Sequence, residues 1–310
     1  MTAPALALAG VHKRFGAVHA LRGVDLHVPR GSIFALIGPN GAGKTTLFSV
    51  VCGFIRADRG QVTVLDGSPD PTRLKGRLGA LPQDAMLGRE LTVREHLTFL
   101  ARLQGMSQET AVRESERVLQ IVDLGDLAEQ RAGTLSHGQL KRVGVAQAFL
   151  GDPELILLDE PTAGLDPRHA HDLREAIRSH RGRRTIVVSS HNLQELEAIC
   201  DEAAFLDRGT TVTAGAVAAL TAQDAEIFVV LAPGPEPIDL LRARLPDTQV
   251  QWDPARRVLR VSFQPGPDRA AEDVIATVLR ELLAQDARIS GVGKGRSLEQ
   301  RYLETTRVSL

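Results

Sequence analysis

A chain of 310 residues with 43% hydrophobic and 24% charged residues has apolar material for one large domain and a small second one, and it excludes wholesale disorder. The formal net charge of -1 lacks the broad cationic field of most nucleic-acid binders, so no nucleic acid is expected as principal ligand. Cys52 and Cys200 are the only cysteines; they lack zinc or redox spacing and are expected as reduced, buried thiols.

In chain order, Met1 to Gly10 is apolar but lacks a basic leader and is too short for a secretory signal or a membrane span. No other stretch approaches the ~20 apolar residues of a spanning helix, so the chain is not expected to cross a bilayer. Leu6 to Leu36 alternates short apolar runs with turn signals at Gly10, Gly23 and Pro29 to Gly31, predicting several short strands. The continuous run Ile33 to Ile37 predicts a buried strand, and Thr46 to Cys52 a helix, with a glycine-rich loop between them. Thr92 and Glu95 have the spacing of a capping box, opening a helix to about Gln104 that is followed by a second helical stretch to roughly Val122. Leu155 to Leu158 and Thr185 to Ser189 read as buried strands of a mostly parallel sheet, separated by a charged helix from His169 to His180. Beyond Leu220 the composition changes, and strand 226–232, helix 237–245, strands 248–252 and 257–264, helix 269–284 and strand 287–292 follow in a βαββαβ order that suggests a ferredoxin-like domain.

The loop itself carries chemistry. Gly38, Pro39, Asn40, Gly41, Ala42, Gly43, Lys44 and Thr45 fit the pattern G-x-x-x-x-G-K-T, between a strand and a helix as that pattern requires. The glycines let successive backbone N–H groups face nucleotide phosphates, and the following helix adds the positive end of its dipole. Lys44 supplies a full charge at the β and γ phosphates, the Thr45 hydroxyl is placed to ligate Mg²⁺, and Thr46 can donate to a phosphate oxygen. Asp159 and Glu160 end an apolar strand, at the edge of a parallel sheet where ligands sit. Asp159 suits Mg²⁺ and Glu160 suits the water that attacks the γ phosphate; taken alone, such a pair also fits a helix N-terminal cap.

Further residues complete a pattern. Leu135 to Gln139, with Ser136, His137 and Gly138, precedes the acidic strand; Gly164, Leu165 and Asp166 follow it, and His191 follows the next strand. With Lys44, Gln83, Asp159 and Glu160, these residues resemble the full motif set of an ABC-transporter ATP-binding domain over about residues 5 to 220. The resemblance implies an α/β P-loop NTPase fold of the ABC ATPase type, a RecA-like core with an antiparallel β subdomain and a helical insert; the pattern beyond Leu220 adds a small C-terminal α+β domain. The expected domains are 1–222, with the helical subdomain at about 84–150, and, from the composition change and its own alternation, 223–310, the latter regulatory, dimer-supporting or simply a stabilising appendix.

The same resemblance implies function. ATP and Mg²⁺ are the expected ligands, with Glu160, His191, Lys44 and Gln83 catalytic, and Thr45, Gln83 and Asp159 near the metal. Ser136, His137, Gly138, Gln139 and Asp166 are implied to reach ATP held by a second subunit, making a homodimer or a heterodimer with a related ATPase part of the mechanism. Phe15 stands where the family commonly stacks an aromatic ring on adenine, worth about 1 kcal/mol, with a core phenylalanine as the alternative. Two positions depart from the pattern: His137 replaces the usual glycine, and Gln147 a frequent arginine. Ser189 to Glu197, Ala101 to Gly105 and Ser297 to Leu303 resemble bacterial exporter-type subunits of drug, haem, lipid or polysaccharide efflux. The implied protein powers a separate polytopic transmembrane permease from the cytoplasmic face of the membrane. A soluble ABC ATPase with a non-transport role and a weakly hydrolysing, nucleotide-dependent regulator are the competing readings.

Overall fold

The computed structural model of the protein describes residues 3–82, 87–190, 192–221, 225–236, 238–246, 248–263, 271–294 and 298. The chain opens with β1 (Leu6–Phe15), β2 (Val18–Val28) and β3 (Ile33–Ile37), then α1 (Lys44–Val51), β4 (Arg59–Val64), α2 (Pro71–Leu74) and β5 (Leu78–Leu81). Three longer helices follow, α3 (Val93–Leu103), α4 (Gln108–Ile121) and α5 (His137–Ala148). Next come β6 (Leu155–Asp159), α6 (Pro167–Arg178), β7 (Thr185–Ser190), α7 (Leu193–Ile199), β8 (Glu202–Asp207), β9 (Thr210–Ala216) and α8 (Val217–Thr221).

Strands buried on both faces are built from unbroken apolar runs, and all residues of β3, β6 and β7 are buried. They form the centre of a six-stranded sheet of order β5-β6-β7-β3-β8-β9, parallel except for the last pair. A second sheet, β2-β1-β4, is antiparallel. One apolar core joins the two sheets across α1: Leu6 and Val11 from β1, Leu21 from β2, Phe34 and Leu36 from β3, Leu47 and Val51 from α1, and Leu155 and Leu157 from β6. The helices α3, α4 and α5 pack on one another. Thr92 caps α3 in a complete capping box with Glu95, where the sequence places it.

The described chain divides into two compact units, the first ending at Val217 and the second beginning at Ala218. The second contains β10 (Ala225–Leu231), α9 (Ile238–Arg244), β11 (Gln249–Asp253), β12 (Val258–Phe263), α10 (Ala271–Ala284) and β13 (Ile289–Lys294). Its strands pair antiparallel in the order β11-β12-β10-β13, the split arrangement that a βαββαβ chain adopts. Both helices contribute to its separate apolar core, through Leu241 and Leu245 near α9 and Val278 and Leu282 on α10. Cys52 and Cys200 are free and buried; burial pushes the Cys52 thiol up to about 12 and raises that of Cys200 as well. No helix of the described residues is long and apolar enough to cross a membrane.

Candidate functional site

The ends of three parallel strands make the site. Register pairs Ile37 of β3 with Ser190 of β7, and Ser189 with Asp159 of β6, so the three strands finish level at their C-terminal edge. The loop from Gly38 to Gly43 leaves this edge and turns into α1. A Cβ on Gly38 would lie 2.3 Å from the Leu206 carbonyl oxygen, and one on Gly43 2.7 Å from that of Ala20, with Gly43 also at a φ of 107°. Close backbone approach therefore demands glycine at both ends of the curl. Lys44, only 6% exposed, donates from Nζ to the carbonyl oxygens of Gly38 at 2.7 Å and Pro39 at 3.2 Å, which places the ammonium inside the curl.

Behind the loop lies a buried carboxylate, Asp159, whose two oxygens accept different hydroxyls. Thr45 Oγ1 donates to Oδ2 at 2.9 Å and Ser189 Oγ to Oδ1 at 2.5 Å. The next residue, Glu160, has a φ of 49°, a left-handed conformation that costs a side-chain-bearing residue about 1–3 kcal/mol. Ser189 holds it there: the Glu160 N–H donates to the Ser189 carbonyl at 3.2 Å and to its hydroxyl at 3.0 Å. A cleft of about 420 Å³ opens over these groups, lined by Val18, His19 and Ala20 and by Asn40, Gly41, Gly43, Lys44, Thr45, Thr46, Asp159 and Glu160. Its chemistry is a basic side chain and helix-terminal N–H groups beside two carboxylates, suited to a polyphosphate and a hard cation. The fit to Mg²⁺ rests on the Thr45 hydroxyl and the Asp159 carboxylate, hard oxygen donors already in contact. Among the described residues no group of three His, Cys, Asp or Glu side chains forms a metal cage.

Ser136 to Gln139 lie outside this cleft, at the start of α5. Ser136 is the N-cap: its hydroxyl accepts from the Gln139 N–H at 3.3 Å while Gln139 Oε1 accepts from the Ser136 N–H at 2.8 Å. Ser136 and His137 are exposed. Asp166 caps α6, accepting from the His169 N–H at 3.1 Å, and its contact with His169 Nδ1 holds its carboxyl below the usual value.

A family model described as ABC transporter matches residues 21–163. The Nod factor export ATP-binding protein I of Bradyrhizobium diazoefficiens is 38% identical over 219 residues, covering 69% of this chain and 71% of that protein. The chain belongs to the ABC transporter ATP-binding family. A protein of the same description from Burkholderia orbicola is 34% identical over 271 residues, covering 83% of this chain and 89% of its own. This ABC ATPase also resembles the solved structure of an ATP-binding subunit of an ABC transporter, with a TM-score of 0.63 and 29% identity over 69% of this chain and 91% of that one. An ATP-binding cassette solved as a dimer in a post-hydrolysis state with ADP and Pi shares its fold, with a TM-score of 0.63 and 23% identity over 68% of this chain and 98% of that one. The chain is thus an ATP-hydrolysing subunit of the exporter-type branch of the family.

Within this ABC ATPase, one cleft gathers Asn40, Gly41, Gly43, Lys44, Thr45, Thr46, Asp159 and Glu160. Gly38, Pro39 and Ala42 shape the loop from behind, Ala42 donating to the Pro39 carbonyl at 3.1 Å and accepting from the Gly209 N–H at 3.0 Å. Ser136, His137, Gly138, Gln139 and Asp166 do not line that cleft. Gln83 and His191 fall outside the described residues. Phe15 is 48% exposed, with the Lys13 ammonium 5.5 Å from its ring centre, so the core alternative is excluded; it pairs with Val18, which lines the cleft. Sequence reasoning missed Ser189 and the β2 residues Val18 to Ala20. For Ser189 a signal existed, a hydroxyl at the end of a parallel strand beside the acidic one; for β2, only tertiary packing brings it over the loop.

Proposed function

We propose that two copies of this chain, or this chain and a related ATPase, close around two ATP molecules with Mg²⁺ and drive a separate polytopic permease for export from the cytoplasmic face of the membrane. The observation that carries this reading is the division of phosphate-binding groups between two surfaces: Lys44, Thr45, Asp159 and Glu160 share one cleft, while Ser136 to Gln139 lie outside it, Ser136 and His137 exposed and Gly138 and Gln139 half-buried. A second protomer supplies what each cleft lacks, and closing on ATP is the motion passed to the permease. Residues 1–222 form the ATP-binding module, with the helical subdomain at about 84–150, and 223–310 an accessory domain supporting or regulating the dimer.

Each residue has a task in hydrolysis. The loop N–H groups and Lys44 hold the β and γ phosphates, and Thr46 adds a hydroxyl. Thr45, Asp159 and Gln83 would hold Mg²⁺, which when bound offsets the charge on the β and γ oxygens. Glu160 orients the attacking water and takes its proton, its backbone fixed by Ser189, while His191 contacts the γ phosphate. Phe15 stacks on adenine from the cleft's rim. From the other protomer, Ser136, Gly138 and Gln139 reach the γ phosphate, and His137 and Asp166 stand beside them.

Glu160→Gln keeps the shape of the site and removes the proton acceptor. The variant should lose at least about a hundredfold in kcat and elute with ATP as a dimer, measured by ATPase assay and light scattering. Near-normal turnover, or a monomer saturated with ATP, contradicts the reading. Recovery from membrane extracts with ribosomes rather than with a polytopic protein contradicts its transport half.

A further inference from the structure

The turn that opens α5 and the turn that follows Glu160 interlock, each placing a side chain on the other's glycine. A Cβ built on Gly164 would lie 3.1 Å from both Cδ2 and Nε2 of His137, so the imidazole rests directly on the bare face of Gly164. In return, a Cβ on Gly138 would meet Leu165 Cδ2 at 3.2 Å. Both distances are tight enough that neither glycine can gain a methyl group without a shift in the other turn. The second turn runs back to the acidic strand through local backbone hydrogen bonds, Ala163 N–H to the Glu160 carbonyl at 3.2 Å and Leu165 N–H to the Thr162 carbonyl at 3.1 Å. It runs forward into Asp166, the N-cap of α6. The first turn is fixed by the Ser136 and Gln139 box. The pattern's usual glycine at position 137 has no ring, so a phosphate contact there does not require the imidazole, and a glycine there would leave Gly164 uncovered.

We infer that His137 is a positioning residue: its ring locks the Ser136 to Gln139 turn onto the Gly164 to Asp166 turn, so that the phosphate-facing end of α5 and the Glu160 carboxylate move as one piece. This rests on the reading of Glu160 and Ser136 given above, in which Glu160 serves its own cleft and Ser136 the opposite one. The interlock then ties the two sites of a dimer together through each chain. The ring's shape is what the contact uses, so charge and hydrogen bonding are dispensable.

Two measurements test this. In steady-state ATPase assays, His137→Ala lowers kcat about fivefold or more with KM for ATP changed less than about twofold, because alignment and not binding is lost. His137→Phe, which keeps a flat ring and removes both nitrogens, restores kcat to within about twofold and leaves the wild-type pH profile in place. A KM rise with kcat retained, an unaltered His137→Ala enzyme, or a His137→Phe enzyme as poor as the alanine variant overturns the inference. The contact is also read without catalysis, by thermal unfolding of Gly164→Ala in two backgrounds. The left-handed φ of 78° at Gly164 penalises alanine equally in both and cancels in the comparison. The Tm loss from Gly164→Ala should be smaller when His137→Ala is already present. A wild-type chain that hydrolyses no ATP defeats the transport-motor reading and leaves this comparison standing; equal Tm losses in the two backgrounds defeat the interlock itself.

Discussion

Ser189 decides the geometry of both acidic residues. It is fully buried, gives its hydroxyl proton to Asp159, and receives the Glu160 N–H on the hydroxyl and carbonyl oxygens. Removing the hydroxyl strips Asp159 of one of its two hydroxyl donors and leaves the Glu160 N–H with the carbonyl alone. An unsatisfied buried group costs about 1–3 kcal/mol, more when charged, so Ser189→Ala should destabilise the fold by that order. Because the left-handed Glu160 loses half of its restraint, kcat should fall about tenfold, beyond what the stability loss alone would cause. Urea unfolding and ATPase assays on the same preparation check both parts; a variant that is destabilised yet turns over normally would show that Ser189 supports the fold and not the chemistry.

At the scale of elements, two helices share one local device and differ in use. Thr92 and Ser136 both close capping boxes, with Glu95 and Gln139 respectively. Losing either cap should cost about 1 kcal/mol. Thr92→Ala should stop there, with ATPase activity within about twofold of wild type, whereas Ser136→Ala should also lose about tenfold in turnover through the second protomer's site. Equal activity losses would contradict the separate role of α5. The comparison shows what a sequence carries. The caps, the strand–loop–helix around Lys44 and the buried runs of β3 and β6 are local patterns and legible residue by residue. The pairing of β1 with β2 and β4, the β8–β9 hairpin and the interlock of His137 with Gly164 depend on neighbours distant in sequence, which no window of residues contains. Phe15 sits between these cases: the chain predicts an aromatic ring at a strand end, and only packing against Lys13 and Val18 says that it faces solvent.

Across the whole molecule, the histidines separate the two units. All nine precede residue 192, so none lies in the second unit. In the first, burial holds His96 below the ordinary imidazole value of 6.5, and burial, reinforced by Arg183 and Arg117, does the same for His180. A depressed imidazole binds its proton more readily in the unfolded chain. The unfolded state therefore holds more protons than the native one near and below pH 6.5, and stability is lost as pH falls through that window. The lowered carboxylates Asp58, Glu95, Glu114, Glu154 and Asp166 act with the same sign but only below their ordinary values of 3.8 and 4.5. Glu202, raised by burial, opposes them, since its charging penalty is relieved on acidification. Trp252, the single tryptophan, packs against the core of the second unit and reports on that unit alone. Between pH 7.5 and 5.5 the urea midpoint from helical circular dichroism should therefore fall, while the midpoint from Trp252 fluorescence stays in place. Replacing His96 and His180 together by glutamine should flatten the first curve. Should both probes move together with pH, the two units unfold as one cooperative body, and the second unit would have to be treated as part of the ATPase fold.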